Sequence, residues 1–370
     1  MKVLAICSYP IEAAATRFRL EQYVVELEQH GIELDIRSFL ETEQFVKFYA
    51  SSNSAAKAFS LLRSIFNRIV LLFAVGDYDL IIVQREAMMF GPAVFEWLYQ
   101  RFGRIPMVLD LDDATYIPYV SPRFGRLGSK LKFFGKTDRL IDRSALVVCG
   151  NRFIAEYVRR RGRRAIVIPT VVDGNVFRPN ERKNEVAVVG WIGTHSTYQF
   201  LERLFPVFQR LASRHTFVLR VIGSGRNVID LPGVNVEALD WELEREVTDF
   251  QSLDIGVYPI FPGGSANSDW IQGKSGFKAI QYMAVGVPFV MSPVGVCAEI
   301  GEPGATHLNA ESDDDWYNSL ELLLVDRRRR SSTGDAGRAF FTANFDLCRF
   351  AGVLASELDS VANDEHSSCN

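Results

Sequence analysis

Lys274 and Lys278 are the residues whose type and spacing point most directly to chemistry. They stand four apart in Gly273-Lys-Ser-Gly-Phe-Lys278, so a helix through both would set two ammonium groups on one face of its first turn. Glycines at 273 and 276 permit close backbone approach, and the amides of Gly276, Phe277 and Lys278 at a helix start would face an anion. Such a cluster neutralises a phosphate or diphosphate, and charge developing on it, electrostatically. A solvated helix face is the competing reading, and the upstream glycines favour the anion site. Tyr282, Met283, Val287 and Phe289 read as core.

Two further clusters could share that ligand. Gly193-Thr194-His195-Ser196-Thr197 lies between a strand and a helix, where its amides and hydroxyls could contact phosphate or cap the helix. His195 reads equally as a neighbour of the cap or as a donor to a leaving phosphate. Gly223-Ser224-Gly225 is a weaker signal, because glycine is common where strands turn into loops. In the first half, Asp110, Asp112 and Asp113 gather at a strand end. They could bind metal, contact sugar hydroxyls or do acid–base work, or cap a helix. Arg17 and Arg19 could pair with these carboxylates or reach an anionic acceptor. The run of arginines over 327–330 reads as a solvated helix end.

The elements that must position these residues alternate strand and helix. Short apolar runs at 2–7, 78–84, 105–111, 145–149 and 165–168 read as buried parallel strands. A strand also follows Gly31, and helices are expected over 17–30, 93–102, 127–142 and 152–161. Residues 41–75 mix Lys47, Lys57, Arg63 and Arg68 with Phe, Leu and Ile. A helix pair covering the sheet is the preferred reading, and a peripheral contact with anionic lipid the alternative. Residues 169–184 have the Pro, Gly and Asn content of a linker. The pattern then restarts, with strands at 186–191, 217–222, 234–238, 254–258 and 288–292 and helices at 198–213, 241–252, 313–327 and 334–344. The division expected is an N-terminal domain over 1–170 and a second domain over 186–345. A terminal helix over 346–361 should pack back on the first domain, ahead of a disordered tail over 362–370.

Bulk properties narrow the class. The 370 residues exceed what one core usually covers. A net charge of -4 argues against nucleic acid as a partner. Five scattered cysteines fit neither a disulfide framework nor a zinc site and suit a reducing compartment. The N-terminus reads as a buried strand rather than a leader, and no apolar run reaches the length of a membrane span. A cytoplasmic protein is expected, with the inner face of the membrane as a further location.

The order of motifs resembles one family, the retaining nucleotide-sugar glycosyltransferases of the GT-B fold, family-4 type. Val189-Gly-Trp-Ile-Gly193, Val221-Ile-Gly-Ser-Gly225, Asp254-Ile-Gly-Val-Tyr-Pro259 and the segment from Gly273 to Pro288 carry the resemblance in the second half. Thr16-Arg-Phe-Arg19, Asp110–Asp113, Gly150-Asn151 and Ile168-Pro-Thr-Val-Val-Asp173 carry it more loosely in the first. The resemblance implies an α/β architecture of two doubly wound Rossmann-like domains facing across a cleft, with 1–170 on the acceptor side and 186–345 binding the nucleotide-sugar. It implies transfer of a sugar, with retained configuration, from a nucleotide-diphosphate sugar to a hydroxyl of a glycan or lipid-linked glycan, in polysaccharide biosynthesis. No cofactor or metal is then required, since the nucleotide-sugar is a substrate. For Asp110, Asp112 and Asp113 contact with sugar or acceptor then ranks ahead of metal, and Asp112, Lys274 and Lys278 become catalytic. Gly193, Thr194, His195, Gly276 and Phe277 become phosphate contacts, Gly223 and Ser224 pack on the base, and Arg17 faces the acceptor. Two family carboxylates are replaced, by Gly273 and Gln281. Gln281 can still accept from a ribose hydroxyl through its amide oxygen. A sugar-nucleotide epimerase and a catalytically silent homologue that binds a nucleotide-sugar or a partner transferase are the alternatives.

Overall fold

The computed structural model describes residues 1–45, 54–118, 131–180, 184–261 and 268–368. The chain divides into two compact units, Met1–Thr170 with Gly273–Ser275 and Leu347–Asn370, and Val171–Gln272 with Gly276–Asp346.

The first unit holds strands β1 Lys2–Cys7, β2 Glu33–Ser38, β3 Leu80–Gln84, β4 Met107–Leu111, β5 Leu146–Cys149 and β6 Ala165–Val167. They form one sheet in the order β2-β1-β3-β4-β5-β6, with every pair parallel. β3, β4 and β5 are buried along their whole length, as continuous apolar runs covered on both faces must be. Helices α1 Ala14–Arg19, α2 Val24–Gln29, α3 Ser54–Leu71, α4 Val94–Gly103, α5 Lys136–Arg143 and α6 Arg152–Arg160 surround it. The single helix expected over 17–30 is thus two. It breaks at Leu20 (φ -128°, ψ -63°), next to Arg19, whose guanidinium turns inward to Asp110 and to the Ile168 carbonyl at 2.7 Å. Parts of the helices expected over 41–75 and 127–142 lie outside the described residues.

The second unit repeats the plan. Strands β7 Val188–Ile192, β8 Val218–Ile222, β9 Asn235–Leu239, β10 Ile255–Tyr258, β11 Phe289–Met291 and β12 Leu308–Asn309 run parallel in the order β12-β11-β10-β7-β8-β9. Trp191, Phe208, Leu219, Val257 and Trp316 lie at the centre of its core. Its helices are α7 Tyr198–Glu202, α8 Phe205–Ala212, α9 Glu246–Gln251, α10 Ser268–Gln272, α11 Phe277–Ala284, α12 Asp313–Val325 and α13 Arg327–Asn344. Ser312 and Asp315 form a capping box that starts α12. α13 starts seven residues before the position expected: Asp326 caps it, and its interior Gly334 lets it lie against the Gly286 carbonyl, 2.4 Å from where a Cβ would sit. The arginines of 327–330 are therefore the first turn of α13 rather than the end of α12. Arg330 bonds back to the Leu323 and Leu324 carbonyls at 3.1 and 3.4 Å.

In each sheet the chain reverses direction at one point, between β1 and β3 in the first and between β7 and β10 in the second. The crevice beyond the strand carboxyl ends at such a point is where open α/β sheets take ligands. The last helix, α14 Leu347–Ser368, belongs to the first unit and packs on α2. It runs past residue 361, where a tail was expected, and Glu357 on it pairs with Arg164 at 2.5 Å.

Candidate functional site

Tyr282 seats α11 over the reversal point of the second sheet. Gly190 of β7 and Gly256 of β10 are register partners across that point. The Tyr282 hydroxyl donates to the carbonyls of Gly190 and Val257, each at 3.3 Å. Its ring lies where a Cβ on Gly256 would be, 2.6 Å away, and stacks on Phe289 at 5.5 Å. Fully buried aromatic packing of this kind leaves the helix one place to sit.

α11 begins behind Gly276, which adopts a left-handed conformation (φ 64°) and offers no side-chain cap. The positive end of the helix dipole lies behind this buried glycine, whose Cβ position is 2.5 Å from Ile300 and 2.9 Å from Val296, so only glycine fits there. Because Gly276 breaks the helix there, Lys274 precedes α11 and does not share a helical face with Lys278, correcting the sequence expectation. Gly273–Ser275 group with the first unit, where the Lys274 carbonyl accepts from Asn151 Nδ2 at 3.0 Å. Lys278 stays on the first turn, its Nζ 5.0 Å from the centre of the Phe250 ring and 5.9 Å from that of Phe277.

Gln281 departs from expectation. It is completely buried, so its amide is not presented to a ribose. Its Oε1 accepts from Lys278 Nζ at 2.9 Å and its Nε2 donates to Glu246 Oε1 at 3.3 Å. An amide between an ammonium and a carboxylate has one favourable orientation, oxygen toward the cation. Glu246 comes from α9 and is itself buried. A carboxylate thus stands beside position 281, supplied by another helix.

The loop after β7 is also built differently from its sequence reading. The Gly193 amide donates to the Ile222 carbonyl at 3.1 Å and the Thr194 amide to Thr197 Oγ1 at 3.2 Å. Both amides expected at a phosphate are engaged in strand pairing and a local turn. The exposed groups are the side chains of Thr194, His195 and Ser196, with the two hydroxyl oxygens 2.8 Å apart. Gly223 takes φ 79° with its Cβ position 2.4 Å from the Gly193 carbonyl, so only glycine brings the β7 and β8 loops this close. Gly225 follows, its Cβ position 3.8 Å from that of His195. Ser224 is buried and accepts from the Arg226 amide at 3.2 Å, which makes it a turn residue. Arg226 lies over the Tyr198 ring at 4.5 Å and meets Glu202 at 3.3 Å.

The carboxylates of the first unit are held by arginines. Arg85 donates to both oxygens of Asp112 at 2.5 Å and to Asp113 at 3.0 Å, and Gln84 adds a bond to Asp112 at 3.1 Å. Burial alone would raise the Asp112 pKa; Arg85 more than offsets it and holds the carboxyl below its usual range. Asp112 is thus an ionised anchor for Arg85 and not a proton donor at neutral pH. Arg85 itself has a left-handed backbone (φ 61°), a conformation that non-glycine residues rarely hold without tertiary support. Of the two early arginines, Arg19 pairs with Asp110. Arg17 donates to the Ile11 and Glu12 carbonyls at 2.7 and 3.2 Å and covers the Phe18 ring at 4.7 Å.

No protein-family model matches the chain, and no curated protein matches it either. Solved structures do. Sucrose-phosphate synthase from Thermosynechococcus elongatus superposes with a TM-score of 0.66 at 14% identity over 100% of both chains. Anabaena HepE in complex with UDP-glucose gives 0.64 at 14% identity, over 97% of this chain and 99% of that one. A glycosyltransferase from Rickettsia africae gives 0.64 at 13%, over 96% and 97%. The fold is GT-B. The GT-B match spans essentially the whole chain at an identity too low to carry residue roles with it, so those rest on the geometry above.

Glu246, Arg226 and Arg85 are the residues that sequence reading missed. Glu246 opens an acidic helix with no local link to Gln281, 35 positions away. Arg226 directly follows Gly223-Ser-Gly225, a signal that could have been used. Arg85 lies just past a strand end, where such sheets place ligand contacts.

Proposed function

We propose that this protein transfers a sugar from a nucleotide-diphosphate sugar to an acceptor hydroxyl, with retention of configuration. The observation that carries this reading is the seating of Lys278 and the glycine-capped start of α11 over the reversal point of a GT-B sheet. HepE, of the same fold, is known in complex with UDP and with UDP-glucose. In the transition state the anomeric carbon gains positive charge and the departing diphosphate gains negative charge. The Lys278 ammonium and the α11 terminus stabilise the diphosphate electrostatically, without a metal. The hydroxyls of Thr194 and Ser196, the imidazole of His195 and the guanidinium of Arg226 line the neighbouring loops and bind the rest of the donor. The leaving phosphate takes the acceptor proton on the face from which it departs, so no protein nucleophile is needed. Asp112, through Arg85, Lys274 and Arg17 serve the acceptor, a glycan or lipid-linked glycan handled in the cytoplasm in polysaccharide assembly.

The test is incubation with a panel of radiolabelled UDP- and GDP-sugars and glycan acceptors. Labelled product, or slow release of free sugar without acceptor, supports transfer. Saturable binding without turnover would favour a second reading, a silent nucleotide-sugar binder. Gly273 and the buried Gln281, standing where the family has carboxylates, are the observation behind it.

A further inference from the structure

The solvent face of α3 is inverted relative to an ordinary surface helix. Its inward stripe carries Ser64 and Arg68, both buried. Arg68 donates to the carbonyls of Ala87, Arg37 and Cys7 at 3.1, 3.0 and 2.7 Å. The outward stripe carries Phe59, Leu62, Phe66, Ile69, Val70 and, just past the helix end, Phe73, which are 44–88% exposed. α4 lies beside α3, where the buried Tyr99 hydroxyl donates to the Arg68 carbonyl at 2.7 Å. Trp97 and Phe102 on α4 are 46% and 64% exposed. Exposed aromatic and aliphatic side chains lined up along one helix face in this way mark an interaction site.

The charges around the face choose the partner. Exposed Arg101 and Arg104 bracket Phe102 at one end, and Lys57 and Arg63 stand at the other. Arg63 meets Glu41 at 3.2 Å, and α3 itself, over Ser54–Leu71, carries no Asp or Glu, so the charge along this helix is basic. A two-fold contact with a second copy would set this basic rim against itself. Among the described residues no helix is long and apolar enough to cross a membrane, so α3 would lie along a bilayer and not through it. Aromatic and aliphatic side chains rimmed by arginine and lysine are the pattern of a helix resting in a lipid interface.

We propose that the α3–α4 face docks this protein on an anionic phospholipid bilayer. Phe59, Phe66 and Phe73 insert at the acyl boundary, and Lys57, Arg63, Arg101 and Arg104 meet lipid phosphates. The inference is independent of the sugar-transfer reading, and its test measures no activity. The full chain is sedimented with vesicles of phosphatidylcholine alone and of phosphatidylcholine mixed with phosphatidylglycerol. Binding is expected to the mixed vesicles, weakened by salt. The pair Phe66→Asp and Phe73→Asp should lower the partition coefficient by about tenfold or more, with circular dichroism and thermal melting unchanged. Trp97→Ser with Phe102→Ser provides an independent variant on the second helix. Failure of the wild type to bind mixed vesicles, equal binding to neutral ones, or variants that fold and bind unchanged would each overturn the proposal. So would a concentration-dependent dimer that Phe66→Asp dissolves, which would assign the face to a second copy.

Discussion

Lys278 Nζ donates to Gln281 Oε1 at 2.9 Å, one turn along the same helix. That contact fixes the direction of the ammonium, and Glu246, bonded to the other end of the amide, fixes the amide. The cation at the proposed diphosphate site is therefore oriented by a buried neutral group backed by a buried carboxylate.

Removing the ammonium should affect chemistry far more than folding. Lys278→Ala is expected to lower transfer by about 10²–10³-fold, the usual effect of losing one group that stabilises a developing anion. Its effect on unfolding should stay within about 1–2 kcal/mol, the cost of leaving the buried Gln281 Oε1 without its partner. Initial rates with the labelled donor and a urea titration measure the two. A large loss of stability with unchanged specific activity would assign Lys278 to structure.

The amide between cation and anion makes a charge-swap prediction. Gln281→Glu puts a second carboxylate against Glu246 in a site closed to water, so it should destabilise the fold by roughly 1–3 kcal/mol near pH 7 and recover at lower pH, where one of the pair protonates. Adding Glu246→Gln restores one amide and one carboxylate in reversed order and should recover most of the loss. Chemical denaturation of the three variants over a pH series tests this; a double variant no better than Gln281→Glu alone would break the pairing argument.

Asp112→Asn removes the bidentate carboxylate under Arg85 and leaves it only the half-exposed Asp113, at 3.0 Å. Because Asp112 is buried and Arg85 has a left-handed backbone, the loss should be about 3 kcal/mol, seen as an earlier unfolding midpoint. If the variant folds with wild-type stability yet loses transfer, the carboxylate touches substrate directly and the anchoring role is wrong.

His307 introduces an acid-dependent weakness. It is wholly buried, stacked on Phe289 at 5.3 Å, and within 2.9 Å of Thr306 Oγ1 and 3.1 Å of Asn309 Oδ1. Burial lowers its pKa from 6.5 to about 4. Above pH 6.5 the imidazole is neutral in both states and the fold keeps its full stability. Between about 6.5 and 4 the unfolded chain takes up a proton that the folded chain refuses, so stability falls as pH falls, by on the order of 3 kcal/mol in total. His307→Gln should flatten that segment of the stability–pH curve, and an unchanged slope would show that the loss arises elsewhere.

Gly256→Ala tests the seating of α11. The new methyl would lie 2.6 Å from the Tyr282 ring, and displacing a fully buried ring from a packed core costs about 1–3 kcal/mol. Loss of donor binding together with a lowered melting temperature is the expected pair of results. A fully stable variant would mean that Tyr282 can move aside.

The sequence alone determined the layers of this protein. Continuous apolar runs such as 80–84, 146–149 and 188–192 are local features, and a strand buried on both faces needs nothing more to be read. The alternation of those runs with amphipathic segments made two doubly wound halves legible, as did the motif order around Gly273–Pro288. The tertiary structure decided what each polar group does, because its partner lies far along the chain. Arg19 breaks a helix to reach Asp110, 91 positions on. Gly334, which reads as a helix boundary, sits inside α13 because Gly286 requires a close approach. The amides of Gly193 and Thr194 are taken by a strand and a turn, and Gln281 is closed off by Glu246. Periodicity and propensity act over a few residues, whereas hydrogen-bond satisfaction and burial are settled only when the sheet, the helices and the loops occupy the same volume.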